Sequence, residues 1–202
     1  TFQNGNSSGN GGGLYIRTRE ANITLTRNTF SGNTADYGGG AAVFTDSGTS
    51  TLTNNTFSEN TAGDWGQGGG AEVYTSSGTI DLTGNTFSNN TATNYGGGAD
   101  VWTDSGTIDL TNNTFSSNTA DHGGGGAYVY TSSGTSTLTN NTFSSNTATN
   151  YGGGGAFVWT YSGTIDLTNN TFSSNTADSD GGGALVYTSS GTSTLTNNTF
   201  SS

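Results

Sequence analysis

Apolar residues stand almost singly along this chain, in a background of Ser, Thr, Asn and Gly. In STLTNNTFSEN, Ser50 to Asn60, there is one leucine and one phenylalanine. The phrase returns as TIDLTGNTFSNN and recurs to the end of the chain. The phenylalanines set the period: Phe2, Phe30, Phe57, Phe87, Phe115, Phe143, Phe172 and Phe200 are spaced by 28, 27, 30, 28, 28, 29 and 28 residues. A repeat of this length indicates a solenoid, propeller or array.

Within each unit the pattern has period 2, and nowhere does it follow the i, i+3, i+4 spacing of a helix. Ala41 and Val43 fall on one face of AAVFT, as do Ala71 with Val73 and Ala99 with Val101. Each of Leu25, Leu52, Leu82, Leu110, Leu138, Leu167 and Leu195 stands five residues before a phenylalanine. The units therefore predict an all-β parallel β-helix, a β-solenoid of about seven coils of about 28 residues, with three short strands per coil. Coils stacked at the inter-strand spacing of ~4.8 Å give a rod of about 34 Å. One coil has too little apolar surface to fold alone, but stacking turns its few residues into continuous columns.

The predicted columns include Phe30, Phe57, Phe87, Phe115, Phe143 and Phe172, and an asparagine column of Asn55, Asn85, Asn113, Asn141 and Asn170. A second asparagine column stands three residues after each phenylalanine, from Asn33 to Asn175. Stacked amides can bond one another and the turn backbone. The glycines ahead of each GGA strand supply positive φ at a corner.

Composition alone points elsewhere: 28% hydrophobic residues and 35 glycines are the signature of disorder. The repeat overrides it, because backbone groups bonded to the neighbouring coils reduce the core that each coil needs. Absence of proline fits a chain built from ladders. The net charge is −11, and all three cations (Arg17, Arg19, Arg27) lie in the first coil. That disfavours nucleic acid, so none is expected as a partner, and no apolar run is long enough for membrane insertion.

TFSGN, TFSEN, TFSNN and TFSSN resemble the Phe-x-x-Asn motif of the polymorphic membrane proteins, autotransported bacterial surface adhesins, and GGGA resembles their Gly-Gly-Ala-Ile motif. In GGAEV and GGADV the aliphatic stands one position later than in that motif. The phrase LTNNTFSSNTA is similar also to large bacterial surface proteins with β-helix repeats. The resemblance implies a right-handed coil, an extracellular or cell-surface location, and a role in adhesion.

No catalytic constellation emerges, so the expectation is a protein that is not an enzyme. Asp81 and Asp109 share a template position on successive coils, but TIDLT offers no loop to wall a cleft. His122 stands in a slot held elsewhere by Tyr37, Trp65, Tyr95 and Tyr151, and reads as a substituted packing residue. The cofactor expectation is none, with Ca²⁺ as the one candidate. Asp81 over Asp109, and Glu72 over Asp100, place like charges about 5 Å apart, which a cation could relieve; the alternative is solvated carboxylates splayed apart.

The most informative surface feature is aromatic. Phe44, Tyr74, Trp102, Tyr130, Trp159 and Tyr187 follow each inward valine and form an outward column, thickened by Tyr128, Phe157 and Leu185. Such a stripe can bind glycans or sister molecules. It can equally stabilise itself, or lie beneath the Gly-rich loop.

The chain reads as a single β-solenoid domain over residues 1–202, uncapped at both ends and continued by more polypeptide or by another copy. The expected function is a non-catalytic extracellular structural protein, a filament or surface stalk. Its partners are then other copies of itself, stacked head to tail or bundled laterally. The alternative is an adhesin segment that binds glycans through the aromatic stripe.

Overall fold

A computed structural model describes all 202 residues. Strands of successive coils pair in parallel into sheets of eight, seven, seven and six strands. One coil shows the order. A phenylalanine strand, Thr56–Ser58, is followed by Thr61–Ala62, then Ala71–Thr75, then Thr79–Thr83, before the next phenylalanine strand, Thr86–Ser88. The three-strand expectation thus gains a fourth, the Thr-Ala strand, which is two residues long and too short to show alternation in sequence. Its alanine points inward, and Ala62, Ala92 and Ala120 are fully buried.

The core consists of the predicted columns. Phe57 lies on Phe87 with ring centroids 4.8 Å apart and planes 3° from parallel. The same spacing runs without a break from Phe2 to Phe200. It equals the strand repeat, so every coil sits in register on the last.

Two corners are held by the asparagine ladders. Asn85 donates its backbone N–H and its Nδ2 to Oδ1 of Asn113, at 2.9 and 3.0 Å, and Nδ2 also donates to the Leu52 carbonyl at 2.7 Å. Asn90 repeats the arrangement with Asn118 and the Phe57 carbonyl. The residue ahead of each ladder position is left-handed, with φ of 55° at Asn54, 57° at Asn112, 58° at Glu59 and 55° at Ser117. The position before the first ladder keeps this conformation whatever residue occupies it, since Arg27, Asn54 and Gly84 all take positive φ. A third corner uses Gly68 and its equivalents, φ 64° at Gly68, as the sequence predicts. The fourth is a hydroxyl turn in which Gly78 N–H donates to Thr75 Oγ1 at 3.0 Å.

Candidate functional site

The outer face of the Ala-Val sheet carries the chemistry. Strands there alternate, so Ala71 and Val73 point into the core while Glu72 and Tyr74 point out. Ladder pairing puts Phe44, Tyr74, Trp102, Tyr130, Trp159 and Tyr187 in one row. A second row on the same face holds Ala42, Glu72, Asp100, Tyr128, Phe157 and Leu185.

This face is only partly open. The Gly-rich segment folds back over the second row, so that Ala42, Glu72, Asp100 and Phe157 are buried. The aromatics of the first row are half-buried except Tyr187, which is 51% exposed. Their ring contacts fall into two groups. Tyr74 meets Trp102 at 3.9 Å, and Tyr130 meets Trp159 at 4.9 Å.

The segment that covers the second row departs from the expected slot. Gly38 N–H donates to the Gln67 carbonyl, Gly68 to Tyr95, Gly96 to Gly123 and Gly153 to Asp180. The equivalent positions are therefore Tyr37, Gln67, Tyr95, Gly123, Gly152 and Asp180, whereas Trp65, His122 and Tyr151 lie one or two residues earlier. Unequal glycine runs cause the offset, which alignment on aromatics alone conceals. The His122 ring lies 5.6 Å from Tyr95, in keeping with a packing role, and its Nδ1 has no partner.

Towards the later coils the face opens into a hollow of about 310 Å³. Tyr151, Phe157, Trp159 and Tyr187 line it, and Asp180 is its one carboxylate. Tyr95 stacks on Tyr128 at its edge, with centroids 4.6 Å apart. The buried indole N–H of Trp159 has no acceptor in the protein. The hollow thus offers flat apolar faces and one carboxylate acceptor.

Towards the earlier coils the same face holds two buried acids. Glu72 and Asp100 are register partners, 5% and 1% exposed. Burial pushes Glu72 up to about 8, against a small opposing pull from the neighbouring Trp102 indole, which nonetheless makes no hydrogen bond of good geometry. Asp100 is raised well above the carboxylate range, first by burial and then by Glu72. Glu72 Oε2 and both Asp100 carboxylate oxygens have no hydrogen-bond partner. The alternative of solvated carboxylates does not hold for this pair, whose side chains are buried.

A family model described as a right-handed β-helix region matches residues 1–143 and again residues 65–202, which together span the chain. The chain belongs to the right-handed β-helix family. No curated protein and no solved structure matches it.

The other acidic pair of this β-helix has a different character. Asp81 and Asp109 are register partners on the Leu sheet, away from the hollow, and both are half-exposed. Asp81 accepts a 2.7 Å hydrogen bond from Thr83 Oγ1. Asp109 is raised by partial burial and, less, by Asp81, while Thr137 opposes. Nowhere do three His, Asp or Glu side chains converge.

Sequence reasoning missed three features. Thr45, Thr75, Thr103, Thr131 and Thr160 are fully buried and close the hydroxyl turns; the recurring T-x-S-G spacing was the available signal. The inward column Ile23, Ser50, Ile80, Ile108, Ser136, Ile165 stands two residues before each leucine. Gln67 beside Asp100 had no signal at all.

Proposed function

We propose that this β-helix is a non-catalytic extracellular structural element, a segment of a filament or surface stalk. The observation that supports it is the uninterrupted column of phenylalanine rings, 4.8 Å apart at both ends of the chain. A stack of like coils with two buried amide ladders resists bending and local opening, since each coil is bonded to both neighbours. The partners are other copies of the chain, joined end to end or bundled side by side. Negative-stain electron microscopy over a range of concentrations tests this. Stiff rods, many times longer than ~34 Å or bundled, are expected; particles of one chain length that bind a ligand tightly oppose it.

A second reading has its own support in the hollow around Trp159. Aromatic faces beside the Asp180 carboxylate suit a neutral sugar, which presents apolar ring faces and hydroxyls. The net charge of −11 disfavours acidic glycans. Likeness of the TFSxN and GGGA phrases to surface adhesins points the same way. Glycan-array retention that is lost in Trp159→Ala but kept in Trp102→Ala supports this reading, and no retention by the intact chain removes it.

A further inference from the structure

We propose that Glu72 and Asp100 form a binding site for a divalent cation of the Ca²⁺ type, enclosed beneath Trp102. The inference is independent of whether the rod is a stalk or binds glycans.

The geometry leads there by elimination. Parallel pairing places Glu72 and Asp100 on neighbouring strands in register, on one face of the sheet, and both side chains are buried. Three of their four oxygens have no hydrogen-bond partner, and unpartnered buried polar atoms are rare in folded proteins. No protein group offsets the charge. Arg17 lines a hollow of about 140 Å³ on the Glu72 side, with Asp46 and Tyr74, yet gives Oε2 no hydrogen bond. The groups around Asp100 are Gln67, Trp102, Tyr128 and Tyr130, around a second hollow of about 210 Å³. None of these bonds either Asp100 oxygen.

One proton shared between the acids engages one oxygen of each and leaves at least one of the three bare oxygens without a partner. A divalent cation neutralises both charges and takes all three as ligands. Ca²⁺ accepts six to eight oxygens in flexible geometry. Two carboxylates, the Gln67 amide oxygen and water in the adjoining hollow can supply them. Mg²⁺ fits less well, because it demands a regular octahedron. With only two charged ligands the affinity belongs to the weak extracellular class, a Kd on the order of 0.1–1 mM.

Trp102 makes the site observable. Tb³⁺ bound beside an indole emits on tryptophan excitation, so titrating the intact chain with Tb³⁺ should give a saturable signal that Ca²⁺ displaces. The double variant Glu72→Gln/Asp100→Asn should lose most of that emission. Adding ~10 mM Ca²⁺ to chelator-treated protein should raise the melting midpoint of the wild type by about 3–11 °C and leave the double variant unmoved. Should the double variant not fold, Trp102→Phe decides instead. It should keep the Ca²⁺-dependent rise and lose the sensitised emission. Equal emission from wild type and variants, or a wild-type midpoint indifferent to Ca²⁺, means that only dispersed surface carboxylates bind ions and overturns the site.

Discussion

Gly123 and Phe157 occupy one volume between them: a Cβ built on Gly123 would lie 2.8 Å from Phe157 Cδ1, in the next coil. Gly152 and Leu185 stand in the same relation, at 2.7 Å. One coil earlier both positions are large. Tyr95 supplies the bulk in the covering segment and stacks on Tyr128. At Gly123 and Gly152, then, a missing side chain in the segment leaves room for the bulk of Phe157 and Leu185 on the strand beneath.

Coupling between the two positions follows. Gly123→Ala should destabilise by about 1–3 kcal/mol through overpacking. In a Phe157→Ala background the same change should cost far less, because the methyl enters the vacated space. Urea unfolding of the four proteins measures the interaction directly. Strictly additive effects would show that the two side chains do not compete.

The ladders make a second prediction. Asn113 Oδ1 accepts from both nitrogens of Asn85, while its Nδ2 donates to the Leu82 carbonyl at 2.7 Å and to Asn141. Asn113→Ala leaves buried donors and an acceptor unpaired in two adjacent coils, at roughly 1–3 kcal/mol for each group left bare. Asn113→Asp keeps the acceptor but turns a donor towards Leu82 into a second oxygen, and above its pKa it also buries a charge. Both should lower the unfolding midpoint, and Asp should recover partly on acidification. An Asn112→Ala control touches no ladder bond and loses only a favoured left-handed residue, so its smaller loss calibrates the corner.

Acid should strengthen the Glu72 region in the absence of divalent ions. Glu72 is raised from 4.5 to about 8, mainly by burial. Between those values the folded state holds a proton that the unfolded chain has released, so stability falls as pH rises through this window and levels off above it. Asp100 adds to the fall, since it too is raised. The groups facing the pair do not reverse the sign: Arg17 makes no bond to Glu72 Oε2, Tyr95 and Tyr128 are themselves raised, and Asp46 is of like charge. Each pKa unit corresponds to about 1.4 kcal/mol. Unfolding in chelator at pH 5 and pH 8.5 should show a larger loss for wild type than for Glu72→Gln/Asp100→Asn. Parallel profiles would mean that the pair is hydrated in solution.

Most of the fold was legible because it rests on repetition. Phe57 over Phe87, and Asn85 over Asn113, follow from spacing once coils are stacked, and no long-range judgement is needed. The outer face was not legible to the same depth. Whether Glu72 is solvated or buried depends on a glycine segment whose length changes from coil to coil, and period-2 alternation says only that it points away from the core. The left-handed corner at Glu59 and Ser117 was hidden for a related reason, since neither residue type announces positive φ.

One column carries an evident flaw that can be repaired. Ser136 lies between Ile108 and Ile165 in the inward column, fully buried, with its hydroxyl unpartnered. Ser50 sits likewise between Ile23 and Ile80. The isoleucines above and below show that the column admits a β-branched C4 side chain at the strand spacing. Ser136→Ile removes the cost of a bare buried hydroxyl, about 1–3 kcal/mol, and adds apolar contact with both neighbours, against some crowding at the site. The expected net effect is a gain of roughly 1–2 kcal/mol, with a similar gain for Ser50→Ile and additivity between them, since a coil or more separates the two sites. Ser136→Ala should recover only the hydroxyl share. A variant less stable than wild type would mean that the coil narrows at this serine and that the small residue is required by space.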